Sequence, residues 1–118
     1  VKIKDRVAFL ERLDHPQVGM ILDIAHEFDE QGINPMTVTG APTAILQQCG
    51  QRLRHIHLQD ADGYADRHWT LGQGTINWHS VFGALSKLES DPRLIIELRD
   101  HSGLPASIAN MAALGLAQ

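Results

Sequence analysis

Cysteine is almost absent: Cys49 stands alone among 118 residues. One thiol excludes an internal disulfide and any zinc site built from several cysteines, and its place in an apolar helical pattern makes it a buried packing residue. The same scarcity points to a reducing, cytoplasmic compartment. Clustered positive charge is also missing. Lysine and arginine total 10 against 14 aspartates and glutamates, for a net charge of −4. No basic stripe marks any segment, which argues against a nucleic-acid partner. No apolar run approaches the ~20 residues that cross a bilayer, and no signal peptide opens the chain, so no membrane partner is expected. The 43% apolar content is ordinary for a globular chain and supports one modest core in a single domain over residues 1–118.

Apolar periodicity divides the chain into alternating elements. Val7, Leu10 and Leu13 make an amphipathic helix of Val1 to Leu13, with Asp5 a candidate cap, and His15-Pro16 ends it. The continuous apolar run Val18 to Leu22 has strand length and stops at Asp23. Ile24 to Gly40 is a polar loop punctuated by Gly32 and Pro35, with one short helical turn expected near His26. Pro42 opens a helix carrying Ile45, Leu46 and Cys49 on one face, and the helix leads into the strand Leu53 to Leu58. Asn77 or Ser80 caps the next helix, with Val81, Leu85 and Leu88 inward, until Asp91-Pro92 stops it. Leu94 to Leu98 is a third strand, and Gly103-Leu104-Pro105 precedes a last helix with Ile108, Met111 and Leu114 on its inner side. Helices alternating with three strands predict an α/β fold with a parallel sheet and right-handed crossovers.

Chemistry concentrates between Leu53 and Trp78. His55 and His57 share one face of their strand and Ile56 and Leu58 the other. Asp60, Asp62, Asp66 and His68 then crowd a loop that also contains Gly63, Gly72 and Gly74, the position where an α/β protein places its site. Each strand delivers an ionisable residue near its C-terminal end: Asp23 with His26, His57 with Asp60, and Glu97. In a parallel sheet these ends lie on one rim, so two carboxylates and an imidazole there suit a single divalent cation. A structural ion-pair network around His57 is the alternative, and a solvated acidic loop beside two core histidines is the plainest one.

The segments Leu22-Asp23-Ile24-Ala25-His26, His55-Ile56-His57-Leu58-Gln59-Asp60, Asp66-Arg67-His68, Leu71 to Trp78 and Ile96-Glu97, in that order and spacing, resemble the C-terminal portion of the xylose isomerase-like TIM barrels. The resemblance runs from about Val7 to the end of the chain. That superfamily includes sugar and sugar-phosphate isomerases and epimerases, inosose dehydratases and endonuclease IV. Carried over residue by residue, the resemblance implies Asp23, His57 and Glu97 as metal ligands, with Mn²⁺, Mg²⁺, Co²⁺ or Zn²⁺ as the cation. It implies His26 as a substrate contact and Glu97 as the group that moves the substrate proton. Asp66 and His68 resemble the pair that holds an additional zinc in endonuclease IV.

A complete (β/α)8 barrel has eight strands in ~250 residues, and this chain accounts for three. The family's fourth ligand, a glutamate on an earlier strand, would lie upstream of Val1, so the expected architecture is a partial TIM barrel, its last three parallel strands with flanking helices. Three functional readings follow. One is a metal-dependent isomerase or epimerase of a small sugar, sugar phosphate or polyol, acting as part of a complete barrel. Another is a catalytically incomplete α/β fragment or oligomerising module, and the third is endonuclease IV-like DNA repair. Unpaired sheet edges predict a homo-oligomer or a second chain that supplies the other part of the barrel.

Overall fold

Four helices and three strands alternate along the described residues, 2–116, of a computed structural model. They are α1 (Ile3–Leu13), β1 (Met20–Asp23), α2 (Ala41–Cys49), β2 (Leu53–Leu58), α3 (Trp78–Leu85), β3 (Arg93–Ile96) and α4 (Leu104–Ala113). The strands are parallel in the order β1-β2-β3. This is the predicted α/β architecture, part of a TIM barrel. Among the described residues no helix is long and apolar enough to cross a membrane.

Strand alternation sorts the side chains onto two faces. Leu22, Ile56 and Leu58 pack beneath the helices with Leu46, Cys49, Trp78 and Val81 in one buried cluster, each large side chain contributing roughly 1.5–3 kcal/mol. Burial pushes the Cys49 thiol up to about 11. The other face carries Ile21, His55, His57 and Ile95, paired across the sheet by register. It is open: Ile21 is 55% exposed and Ile95 37%.

Several boundaries differ from those expected. Val1 lies outside the described residues, and Asp5 sits inside the first turn of α1 while Lys2 occupies the cap position. Leu13 is exposed because α1 terminates directly after it, at Asp14 in the left-handed conformation. Near His26 the chain makes a single turn, the His26 N–H donating to the Asp23 carbonyl at 3.1 Å, and a short 3-10 helix forms further on at Pro35–Thr37, capped by the Asn34 side chain. Leu88 falls beyond the end of α3, which Asn77 caps by accepting from the Ser80 N–H at 3.0 Å. In α4 only Met111 and Ser107 are buried, and Ile108 and Leu114 face outward. That helix docks through polar groups: the Leu71 N–H donates to Ser107 Oγ at 3.0 Å, and Asn110 Nδ2 donates to the Leu71 carbonyl at 2.8 Å.

Asp60 is the largest departure. Expected beside His57 on the rim, it is 0% exposed, because period two along the chain turns residue 60 to the face of Ile56 and Leu58. Its carboxylate accepts from the Ala61, Gly72 and Ile76 N–H groups at 2.9, 2.7 and 3.2 Å and from Trp78 Nε1 at 2.9 Å. Its backbone pairs with Trp69 in an antiparallel bridge. The two glycines of Leu71-Gly72-Gln73-Gly74 follow from this geometry. Gly72 has φ +98, and a Cβ on Gly74 would run into Asp60 Oδ1 and the Ala61 backbone. Both requirements favour glycine.

Removing the carboxylate strands four donors, three of them buried. Asp60→Ala should cost on the order of 3 kcal/mol or more, and Gly74→Ala should lower stability in the same loop. Denaturant unfolding followed by tryptophan fluorescence measures both. A midpoint unchanged from wild type in Asp60→Ala would contradict the role assigned to the carboxylate.

Candidate functional site

Each strand ends by handing a polar group to the same rim. At the end of β1 the Asp23 carboxylate accepts from the Ala25 N–H at 2.9 Å, a local turn that aspartate favours. The Ile24 N–H donates to the His57 carbonyl and the Glu97 N–H to the Leu58 carbonyl, so pairing continues just past the strands and fixes where the next side chains emerge. Glu97 stands one residue beyond β3 rather than within it.

Asp23, His57 and Glu97 come together as one group, with one ligand atom from each within 4.8 Å of the others. His57 Nδ1 lies 2.9 Å from Glu97 Oε2 and 4.0 Å from Asp23 Oδ2. His26, Asp66 and His68 form a second group under the same distance limit. His26 Nε2 and His68 Nε2 each lie 3.0 Å from Asp66 Oδ1, and His26 Nε2 reaches to 3.8 Å from Asp23 Oδ2. All six residues singled out in the sequence as site residues therefore converge, in two adjacent groups.

His68 is held in a left-handed conformation, φ 55, which a side-chain-bearing residue adopts only under constraint. Its N–H donates to Gln59 Oε1 at 2.6 Å, and its Nδ1 lies 3.2 Å from the Glu97 carbonyl oxygen. Gln59 is the residue that sequence reasoning missed. The signal was present: residue 59 continues the alternation of His55 and His57, so its side chain had to reach the same rim. The amide is fully buried, and its Nε2 donates toward Asp23 and Asp66.

Burial raises the Asp66 carboxyl, but hydrogen bonds from Gln59, His26 and His68 outweigh it and hold the group below its ordinary value. Burial likewise lowers the His68 imidazole, and the Glu97 carbonyl and Asp66 carboxylate outweigh that and raise it. Elsewhere in the loop Arg67 pairs with Asp62 at 2.8 Å and lies over the Trp69 ring.

A parallel sheet with helices on one face and polar groups gathered at the carboxyl ends of its strands is the arrangement of part of a TIM barrel. The chain belongs to the xylose isomerase-like TIM barrel family, whose profile matches residues 2–115. It is 30% identical over 88 residues to the uncharacterized protein MJ1311 of Methanocaldococcus jannaschii, covering 72% of this chain and 27% of that protein. It superposes on the crystal structure of a D-tagatose 3-epimerase-like protein with a TM-score of 0.73 and 20% identity, covering 95% of this chain and 40% of that one. The chain thus spans less than half the length of either protein.

Linkage sets a pH window for the pair in the second group. His68 is raised above 6.5, so its contribution to stability is complete below that value and is lost as pH rises through the folded one. Asp66 is lowered below 3.8, so its contribution is present above that value and is lost as pH falls through the folded one. With chelator present, the melting difference between wild type and Asp66→Asn should be greatest between pH 3.8 and 6.5. A difference that is flat from acid to neutral pH would show that the pair does not stabilise the fold.

Proposed function

We infer that this chain forms three βα units of a divalent-metal-dependent isomerase or epimerase barrel that acts on a small sugar, sugar phosphate or polyol. The observation that carries the reading is the convergence of Asp23, His57 and Glu97 from three different strand ends onto one small volume. Two carboxylates and an imidazole are the donor mixture that Mn²⁺, Mg²⁺, Co²⁺ and Zn²⁺ accept, and the open sheet face leaves the group accessible. A cation bound there supplies Lewis acidity, polarising a substrate carbonyl and acidifying the adjacent C–H.

The chain's own residues supply the rest of the chemistry. Glu97, its side chain 45% exposed and its Oε2 2.9 Å from His57 Nδ1, is in this reading the carboxylate that takes up and returns a substrate proton. His26, half-exposed between the two groups, is placed to hydrogen-bond a substrate hydroxyl. Asp66 and His68, with His26, offer an additional metal position. The D-tagatose 3-epimerase-like structure supports the choice of sugar chemistry. The second donor group is the one observation favouring metal-dependent DNA repair, against which stands the acidic balance of the chain. A cytoplasmic setting completes the reading.

Metal uptake is the direct test. Equilibrium dialysis against Mn²⁺ and Zn²⁺ should show weak binding to wild type, because a fourth protein ligand is not among these residues, and weaker binding to His57→Ala. Identical uptake by both proteins would remove the shared site. In the complete barrel, Glu97→Gln should abolish exchange of the substrate proton with deuterated solvent, and exchange at the wild-type rate would remove Glu97 from the proton transfer.

Assembly belongs to the same reading. Ile21 and Ile95 on the open face, and unpaired N–H and C=O groups along the outer edges of β1 and β3, call for cover by strands that these residues do not provide. The partner is a second copy of this chain or the other part of the barrel. Sedimentation equilibrium should show concentration-dependent association of the 118-residue chain, and a monomer at every concentration would contradict the open-edge argument.

A further inference from the structure

Between the two donor groups sits an uncharged side chain to which the metal reading gives no part. Gln59 is 0% exposed. Its Nε2 lies 3.2 and 3.1 Å from the two Asp23 carboxylate oxygens, 2.8 Å from Asp66 Oδ1 and 3.4 Å from His68 Nε2. The amide cannot turn over: its Oε1 accepts from the His68 N–H at 2.6 Å, and the reversed orientation would set an oxygen against two carboxylates. We propose that Gln59 is a positioning residue that couples the two donor groups, sharing one amide nitrogen between the carboxylates of Asp23 and Asp66.

The coupling follows from the position of one atom. The amide nitrogen has two hydrogens, one for each carboxylate, and it is held between Asp23 and Asp66 at 3.1 and 2.8 Å, so a shift of the nitrogen toward one carboxylate is a shift away from the other. Neutralising Asp23, by a cation or by substitution, frees the amide for Asp66. Asp66 Oδ1 is then drawn away from the imidazoles of His26 and His68, whose Nε2 atoms both lie 3.0 Å from it. Occupancy of the first group therefore changes the geometry of the second. Its meaning for metal binding rests on the reading of the preceding section, but the coupling itself is a property of the metal-free chain.

Ring nitrogen and carbon resonances of His68 read the coupling with chelator present. Asp23→Asn should shift them in the wild-type background, and the shift should shrink at least about threefold in the Gln59→Leu and Gln59→Glu backgrounds, since coupling through a shared partner is non-additive. Gln59→Glu keeps the side-chain shape and the acceptor for the His68 N–H while removing the donor, so it carries the test if Gln59→Leu fails to fold. Equal shifts in all three backgrounds, or no shift in wild type, overturn the proposal. Titration with Mn²⁺ separates the two ideas. A wild-type chain that takes up no Mn²⁺ yet shows the coupled shift ends the metal reading and supports the role of Gln59. A chain that does bind Mn²⁺ should lose roughly 10- to 100-fold in affinity in Gln59→Leu, as loss of a ligand-orienting partner does, and unchanged affinity there overturns the proposal.

Discussion

The carboxylate of Asp60, buried under the loop that follows β2, is the constraint on which the site depends. An unpaired charge in that position would be expelled at a cost of several kcal/mol. Here three backbone N–H groups and the Trp78 indole surround it. Because those donors come from residues 61 to 78, one side chain ties the start of the loop to its end and to the first turn of α3. The loop is long, yet it is anchored at its base. Asp66 and His68 project from the anchored part, so their approach to Asp23 and Glu97 is set by a group that never touches them.

Strand alternation divides the work. Residues 56, 58 and 60 face the helices and build core and anchor, whereas residues 55, 57 and 59 point the other way, and 57 and 59 build the site. Central β2 supplies both sets, with β1 and β3 each adding one carboxylate at the rim. The same open face that exposes Glu97 and part of His57 above the buried Asp23 also exposes Ile21 and Ile95. Accessibility of the donors and incomplete burial of the sheet are two results of one geometry.

Much of this was legible in the sequence. The apolar runs gave the alternation of helices and strands, Pro42 and Asn77 marked helix starts, Asp23 with His26, His57 and Glu97 follow from charges placed at strand ends, and Asp66 and His68 from the crowded loop and the family resemblance. What was misread has physical reasons. Asp60 adjoins His57 in sequence, although period two places them on opposite faces. Gln59 carries no titratable group to mark it, yet burial makes its hydrogen bonds consequential. Ile108 and Leu114 are apolar at helical spacing, the pattern of a core face. The structure docks α4 instead through Ser107 and Asn110, a polar contact that hydrophobic periodicity does not register.

The pairing of Asp23 opposite His57, and of His57 opposite Ile95 two residues before Glu97, has a consequence for how the chain reaches this state. The three donors belong to three successive βα units, and no two of them are neighbours in sequence. A slip of one residue in β3 would send Glu97 to the helix side, and a slip in β1 would do the same to Asp23. The trio therefore exists only when both ladders are in phase. A cation with affinity for the trio would select the correctly aligned sheet out of all misaligned ones, so that ligation and strand alignment would reinforce each other during folding.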